Sequence, residues 1–148
     1  MITSERLPAA LHVLLHMAEH PERPMTSAEM AACARTNPVV IRRTFAGLRE
    51  AGIVSAARGH GGGWRLARPA TSVSIAEIQR ALGERVVSLA PAEDPPRCLL
   101  LRSVVRSLDA ALREAEQVLD RRLSTLTLAD LAADVARPQA GPGGAPHV

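Results

Sequence analysis

Residues 37–52, NPVVIRRTFAGLREAG, constrain the chain most, because both ends of one helix are written into them. Asn37 can cap the first free amides, Pro38 stands where a missing N–H costs nothing, and Gly52 can take the left-handed conformation that closes a helix. Between these ends Val40, Ile41, Thr44, Phe45, Leu48 and Ala51 recur at helical spacing on one broad side. Val39, Arg42, Arg43, Ala46 and Arg49 take the other, so the outer face offers three guanidinium groups with only Glu50 nearby. A face of one sign suits an anionic partner; a solvated basic face is the plainer reading.

The basic excess is confined to the same half of the chain. Residues 1–68 carry 9 Arg against 5 acids, a surplus of four, whereas residues 69–148 carry 9 Arg against 10 acids, a deficit of one. A polyanion is therefore expected to bind the first half. At 148 residues the chain can bury one core with appendages. No apolar run approaches the ~20 residues of a membrane span and no signal-peptide pattern opens the chain, so a cytoplasmic protein is expected. Cys33 and Cys98 are too few for a disulfide scaffold and are expected to be reduced.

Residues 4–19 place Leu7, Leu11, Leu14, Leu15 and Ala18 on one side of a first helix, with Ser4 as its cap and His20-Pro21 as its stop. His12 and His16 lie four apart on its other side. The sequence shows no acidic or thiol partner beside them, so they read as solvated or interface histidines and no metal site is assigned. Thr26 with Glu29 forms a capping box and Met25 with Met30 a hydrophobic staple, which specifies a short helix over 27–34. A tight turn at Arg35 and Thr36 leads into the Pro38 helix. Two helices joined this way, the second with a basic outer face, make a helix-turn-helix.

Residues 53–57 and 64–67 alternate as short strands around the glycine-rich turn Arg58-Gly59-His60-Gly61-Gly62-Gly63, which predicts a β-hairpin wing. A phosphate cradle is disfavoured because such a loop opens a helix, whereas these glycines join two strands. Arg58, Arg65 and Arg68 suit phosphate contact or minor-groove insertion, and Trp64 reads as packing at the wing base. After the linker over 69–72, Ser74 with Glu77 and Val73 with Ile78 repeat the box and staple for a helix that ends near Gly83 and packs back on the winged domain.

A proline-rich acidic loop over 90–97 precedes a long helix. There Leu101, Val104, Val105, Leu108, Ala111, Leu112, Ala115, Val118 and Leu119 form a continuous apolar stripe. So much apolar surface on one helix of a small domain points to dimerisation through Leu101, Val104, Val105, Leu108, Leu112, Ala115, Val118 and Leu119; an intramolecular bundle is the alternative. A short helix capped by Thr127 follows, and residues 137–148 are expected to be disordered. The fold class expected is mainly α: a winged helix-turn-helix over 1–84 with a two-stranded β-wing, a loop over 85–97, a long dimerisation helix with a C-terminal helix over 98–136, and a tail.

The run from Leu48 to Ser55, Arg58-Gly59, the stretch from Gly62 to Arg68, and Val73-Ser74-Ile75 with the helix containing Ile78 resemble the Rrf2 family of bacterial transcription regulators. The resemblance spans about residues 4–135. It implies a homodimeric winged-helix regulator, usually a repressor, that binds palindromic promoters with the second helix of the helix-turn-helix in the major groove and the wing along the minor groove. By position it puts Thr36, Asn37, Val39, Arg42, Arg43 and Arg49 at DNA, with Arg58, His60, Arg65 and Arg68 from the wing; Thr26 and Ser27 are added from the start of the first helix of the motif. Several members hold an iron-sulfur cluster through three closely spaced cysteines before the long helix, whereas residues 82–105 here contain Cys98 alone. The chain therefore looks closer to cluster-free members, and no cofactor is expected. Some of those sense oxidants or electrophiles through a cysteine at the start of the long helix, a place Cys98 matches. Arg97 and the helix N-terminus would favour its thiolate. Cys33 reads as a small core residue. No catalytic constellation is visible, so the expectation is a DNA-binding repressor and not an enzyme. Three rivals remain: a winged-helix protein-interaction module, a cluster-sensing regulator whose cluster is held by Cys98 with nitrogen or oxygen ligands, and a metal-cluster enzyme or electron carrier.

Overall fold

The computed structural model describes residues 2–3, 6–83, 87–88 and 98–137. The Ser4 cap, Arg97, the loop over 90–97 and the tail beyond Arg137 lie outside them. Helix α1 (Arg6–Glu19) leads to α2 (Ser27–Cys33) and α3 (Pro38–Glu50), then to the wing strands β2 (Val54–Ala57) and β3 (Gly63–Leu66). A 3-10 turn (Ala70–Ser72) precedes α4 (Ile75–Leu82), the long helix α5 (Leu99–Ser124) and α6 (Leu128–Ala136). A pairing absent from the sequence reading joins β1 (Ile2–Thr3) to β4 (Val87–Ser88), antiparallel, inside the segment expected to be loop.

The helix ends follow their capping residues. Thr26 Oγ1 accepts from the Glu29 N–H while Glu29 Oε2 accepts from the Thr26 N–H, and Ser74–Glu77 and Thr127–Asp130 repeat this reciprocal box. Asn37 Oδ1 accepts from both Val39 and Val40 N–H at 3.0 Å. At the other end of α3, Gly52 takes φ 70°, the Gly52 N–H donates to Arg49 O, and the Ile53 N–H donates to Leu48 O. This is a Schellman closure, and its apolar contact partners, Leu48 and Ile53, are both fully buried.

Among the described residues one core forms. Leu14, Met17, Met30, Phe45, Leu48, Ile53, Ile75, Ile78 and Leu128 lie in one buried cluster. The inward faces differ from the expected ones at several positions. In α1 the buried set is Ala10, Val13, Leu14 and Met17, with Leu7, Leu11, Leu15 and Ala18 only half-buried around it, because α2, α4 and α6 reach α1 from different sides. In α3, Val40 and Ala51 are exposed while Ile41, Thr44, Phe45 and Leu48 are buried; a six-residue stripe is wider than the surface its neighbours cover.

The C-terminal unit expected over 98–136 is divided. Helix α6 packs on α1 and buries Leu128 in the central core. Reciprocal bonds from the Ile75 N–H to Leu126 O and from the Leu128 N–H to Val73 O, both 2.9 Å, tie its start to that of α4. Helix α5 leans on α4 through Arg80, whose Nε is 3.4 Å from Asp120, and none of its residues is buried. Among the described residues no helix is long and apolar enough to cross a membrane.

Candidate nucleic-acid interface

The start of α2, the outer face of α3 and the wing converge on a groove of about 400 Å³. Its walls carry Thr26, Ser27, Arg42, Arg49 and Arg58, with Gly59, Gly62 and Gly63 at the wing side and Trp64 at the floor. Arg42 and Arg49 stand seven residues apart, two helical turns, so they share one face, and Val39 lies one turn before Arg42 on it.

The groove is rigid because its walls are bonded to one another. Trp64 Nε1–H donates to Ser27 Oγ at 3.0 Å, the Trp64 ring meets Phe45 edge-on at 5.9 Å between centroids, and the Arg49 guanidinium lies 6.0 Å from that ring's centroid. Backbone bonds in both directions between Met25 and Trp64, 2.9 and 2.7 Å, extend the wing pairing to the segment before α2. Swinging the wing away would break these bonds to Met25 and Ser27. Gly63, at φ 133°, is required here: a Cβ on it would stand 2.7 Å from Met25 O.

The remaining residues expected at DNA are dispersed around this groove. Thr36, Val39, Arg43, His60 and Arg65 are exposed. The hydroxyl oxygens of Thr26 and Ser27 accept bonds inside the fold, which leaves each O–H able to donate to a phosphate oxygen. Asn37 is exposed with its carboxamide oxygen occupied by the cap, so only its NH2 end is left to meet a base. Arg68 differs from the expectation. It is half-buried, donates to Glu77 Oε1 at 3.0 Å and to Ser72 O at 3.3 Å, and so braces the capping box of α4. Its charge is met inside the fold. Arg6 and Arg35 were not singled out by the sequence, yet both line a second cleft of about 260 Å³ at the N-terminal end of α3 with Thr36 and Val40. Arg35 holds φ 52°, which turns the chain between the two helices.

Carboxyl groups across the head are held below the ordinary carboxylate range by their capping bonds. For Glu29 and Asp130 the chief cause is the backbone N–H of Thr26 and Thr127, and for Glu77 it is that of Ser74, followed by Arg68. The two thiols part company. Burial raises Cys33, whereas Cys98 is exposed at the N-cap of α5, where the Leu101 and Leu100 N–H groups lower it; the sulfur lies beside these donors without closing a cap bond.

Residues 3–134 match the family model described as "Rrf2: Iron-dependent Transcriptional regulator". The chain belongs to the Rrf2 family. It is a DNA-binding transcriptional regulator of that family. Over 133 residues it is 29% identical to the HTH-type transcriptional regulator YwnA of Bacillus subtilis, covering 88% of this chain and 96% of that protein. A shorter stretch of 46 residues is 50% identical to the HTH-type regulator IscR of Cereibacter sphaeroides, 31% of this chain and 30% of that one. The same fold occurs in IscR of T. potens (TM-score 0.67, 23% identity, 97% and 94% of the two chains) and in CymR, the global cysteine regulator of B. subtilis (TM-score 0.63, 22% identity, 90% and 98%). Iron stands in the Rrf2 description, but a three-thiolate cluster set cannot be assembled from a chain with two cysteines. Among the described residues the metal-type donors that gather are His12, His16 and Cys33, and Cys98 is not with them.

Proposed function

We propose that this Rrf2 protein is a cytoplasmic, homodimeric, cluster-free repressor of palindromic promoter sites, without catalytic activity. The groove is the observation that supports it. Arg42 and Arg49 from α3 and Arg58 from the wing turn line one groove, with Arg43 and Arg65 exposed nearby, a placement that suits a polyanion. In this reading the arginines neutralise phosphates and fix register, while Thr36, Asn37 and Val39 at the start of α3 read base edges. Thr26 and Ser27 add hydroxyl contacts, and His60 follows the neighbouring minor groove from the wing tip. Arg68 serves the fold.

Dimerisation is supported by α5. Leu100, Leu101, Val104, Val105, Leu108 and Val118, on one side of the helix, are 40–79% exposed, an apolar stripe that a second copy would cover. Cys98 at the head of this helix is the candidate sensor of oxidants or electrophiles, placed where its modification would alter the pairing of two α5 helices. A gel shift with the gene's own upstream DNA tests the reading. Binding should weaken steeply with salt and resist nonspecific competitor. Affinity equal to that for random duplex would favour a protein-interaction module instead.

A further inference from the structure

On the side of the head formed by α1 and the C-terminal end of α2, folding supplies the thiol partner that the sequence does not show beside the histidine pair. His12 and His16 share one face of α1, their Nε2 atoms 3.1 Å apart, and Cys33 is the last residue of α2. One donor atom from each of His12, His16 and Cys33 lies within 4.8 Å of the other two. They border an open cavity of about 520 Å³. Around a tetrahedral ion, bonds of about 2.0–2.1 Å to nitrogen and 2.3 Å to sulfur set the donors roughly 3.3–3.6 Å apart. The cluster is thus close to ligating geometry, and side-chain rotation supplies the rest, because buried Val13, Met17 and Met30 fix the two helices beneath it. A carboxylate also stands within reach: His16 Nδ1 is 3.5 Å from Glu19 Oε2, the place of an outer-sphere partner that would favour the N–H on Nδ1 and leave Nε2 to ligate.

We propose that His12, His16 and Cys33 form a three-ligand site for a borderline-soft divalent transition-metal ion, zinc being the type case, with the fourth position open to the cavity. Two imidazole nitrogens and a thiolate suit such an ion and are poor ligands for magnesium or calcium. The site would clasp α1 to the end of α2, two residues before the Arg35–Thr36 turn begins. It does not depend on the DNA reading.

Titration of the full-length protein with cobalt(II) under reducing, oxygen-free conditions tests it. One ion per chain is expected, with visible bands of tetrahedral intensity and a thiolate-to-cobalt charge-transfer band, all displaced by zinc. Glu19→Gln should weaken binding by about 10–100-fold, the usual cost of losing an outer-sphere partner, and His16→Ala or Cys33→Ser by more. Cys98→Ser should leave the titration unchanged. His12 and His16 are exposed, so His12→Ala and His16→Ala decide the matter even where Cys33→Ser lowers stability, and thermal unfolding of each metal-free variant checks its fold. Binding that survives in His16→Ala, a spectrum without the thiolate band, or loss in Cys98→Ser overturns the proposal.

Discussion

Helices α3 and α5 carry apolar stripes of similar pattern and meet different fates. In α3 the stripe sinks Ile41, Phe45 and Leu48 into a core shared with α1, α2, α4 and the wing. Helix α5 has twice the length and buries none of its residues. Its C-terminal half is steadied by Arg80 from α4, and Leu123 packs at the edge of the core. Among the described residues, Leu100, Leu101, Val104, Val105 and Leu108 stay 40–79% exposed. An amphipathic pattern therefore fixes which side of a helix must be hidden, and leaves open what hides it. For α3 the cover is the same chain; for α5 we assign it to a second copy, each fully covered Leu or Val contributing about 1.5–3 kcal/mol relative to exposure.

The largest expected effect separates the two helices. Phe45→Ala should cost about 3–5 kcal/mol of folding free energy, seen as a lower denaturant midpoint at unchanged slope. The triple change Leu101→Ser, Val104→Ser, Leu108→Ser should instead leave the head folded and convert dimer to monomer in sedimentation. Equal unfolding of both proteins would break the contrast. Next comes a helix-interior test. Gly47→Ala gains about 1 kcal/mol of helix propensity, yet its Cβ would lie 2.3 Å from Ala81 O where α3 and α4 touch, so a net loss of roughly 1–3 kcal/mol is expected. Ser107→Ala, exposed in α5, should stay within about 0.5 kcal/mol.

Smaller effects sharpen the picture. Ser74→Ala removes one half of a capping box and should cost about 1 kcal/mol in thermal unfolding. The carboxyl groups of Glu29, Glu77 and Asp130 have folded pKa values below their unfolded ones. Their contribution is therefore complete above the ordinary carboxylate range and disappears as pH falls through the depressed values. Acid titration of stability should show this loss reduced in Glu77→Gln. The smallest change is chemical. Iodoacetamide should label Cys98 with a pH midpoint below that of a free thiol and Cys33 with one above it; a Cys98 midpoint no lower than a free thiol's would remove it as a sensor.

Local grammar was legible residue by residue. Asn37, Pro38 and Gly52 bounded α3, two pairs spaced three apart, Thr26–Glu29 and Ser74–Glu77, set the starts of α2 and α4, and Thr127 marked the start of α6, because a capping bond closes within one turn and needs nothing from the rest of the chain; the Asp130 half of the last box was seen only in the structure. Trp64 was readable as packing, though not its bond to Ser27, 37 positions away. Arg68, read from the sequence as a phosphate contact, also bonds Glu77 and the Ser72 carbonyl, a pairing across nine positions that the sequence reading did not anticipate.

What the sequence determined alone was the order of its helices, the capped starts of α2, α3, α4 and α6, the wing, and the sign of the outer face of α3, all products of short-range geometry and side-chain charge. Tertiary structure decided which residues of each stripe are hidden, that α6 returns to seal the core with Leu128, that Gly47 must stay small against Ala81, and that Cys33 stands beside His12 and His16. Those outcomes depend on which surfaces meet, and close packing settles that only when the whole chain has come together.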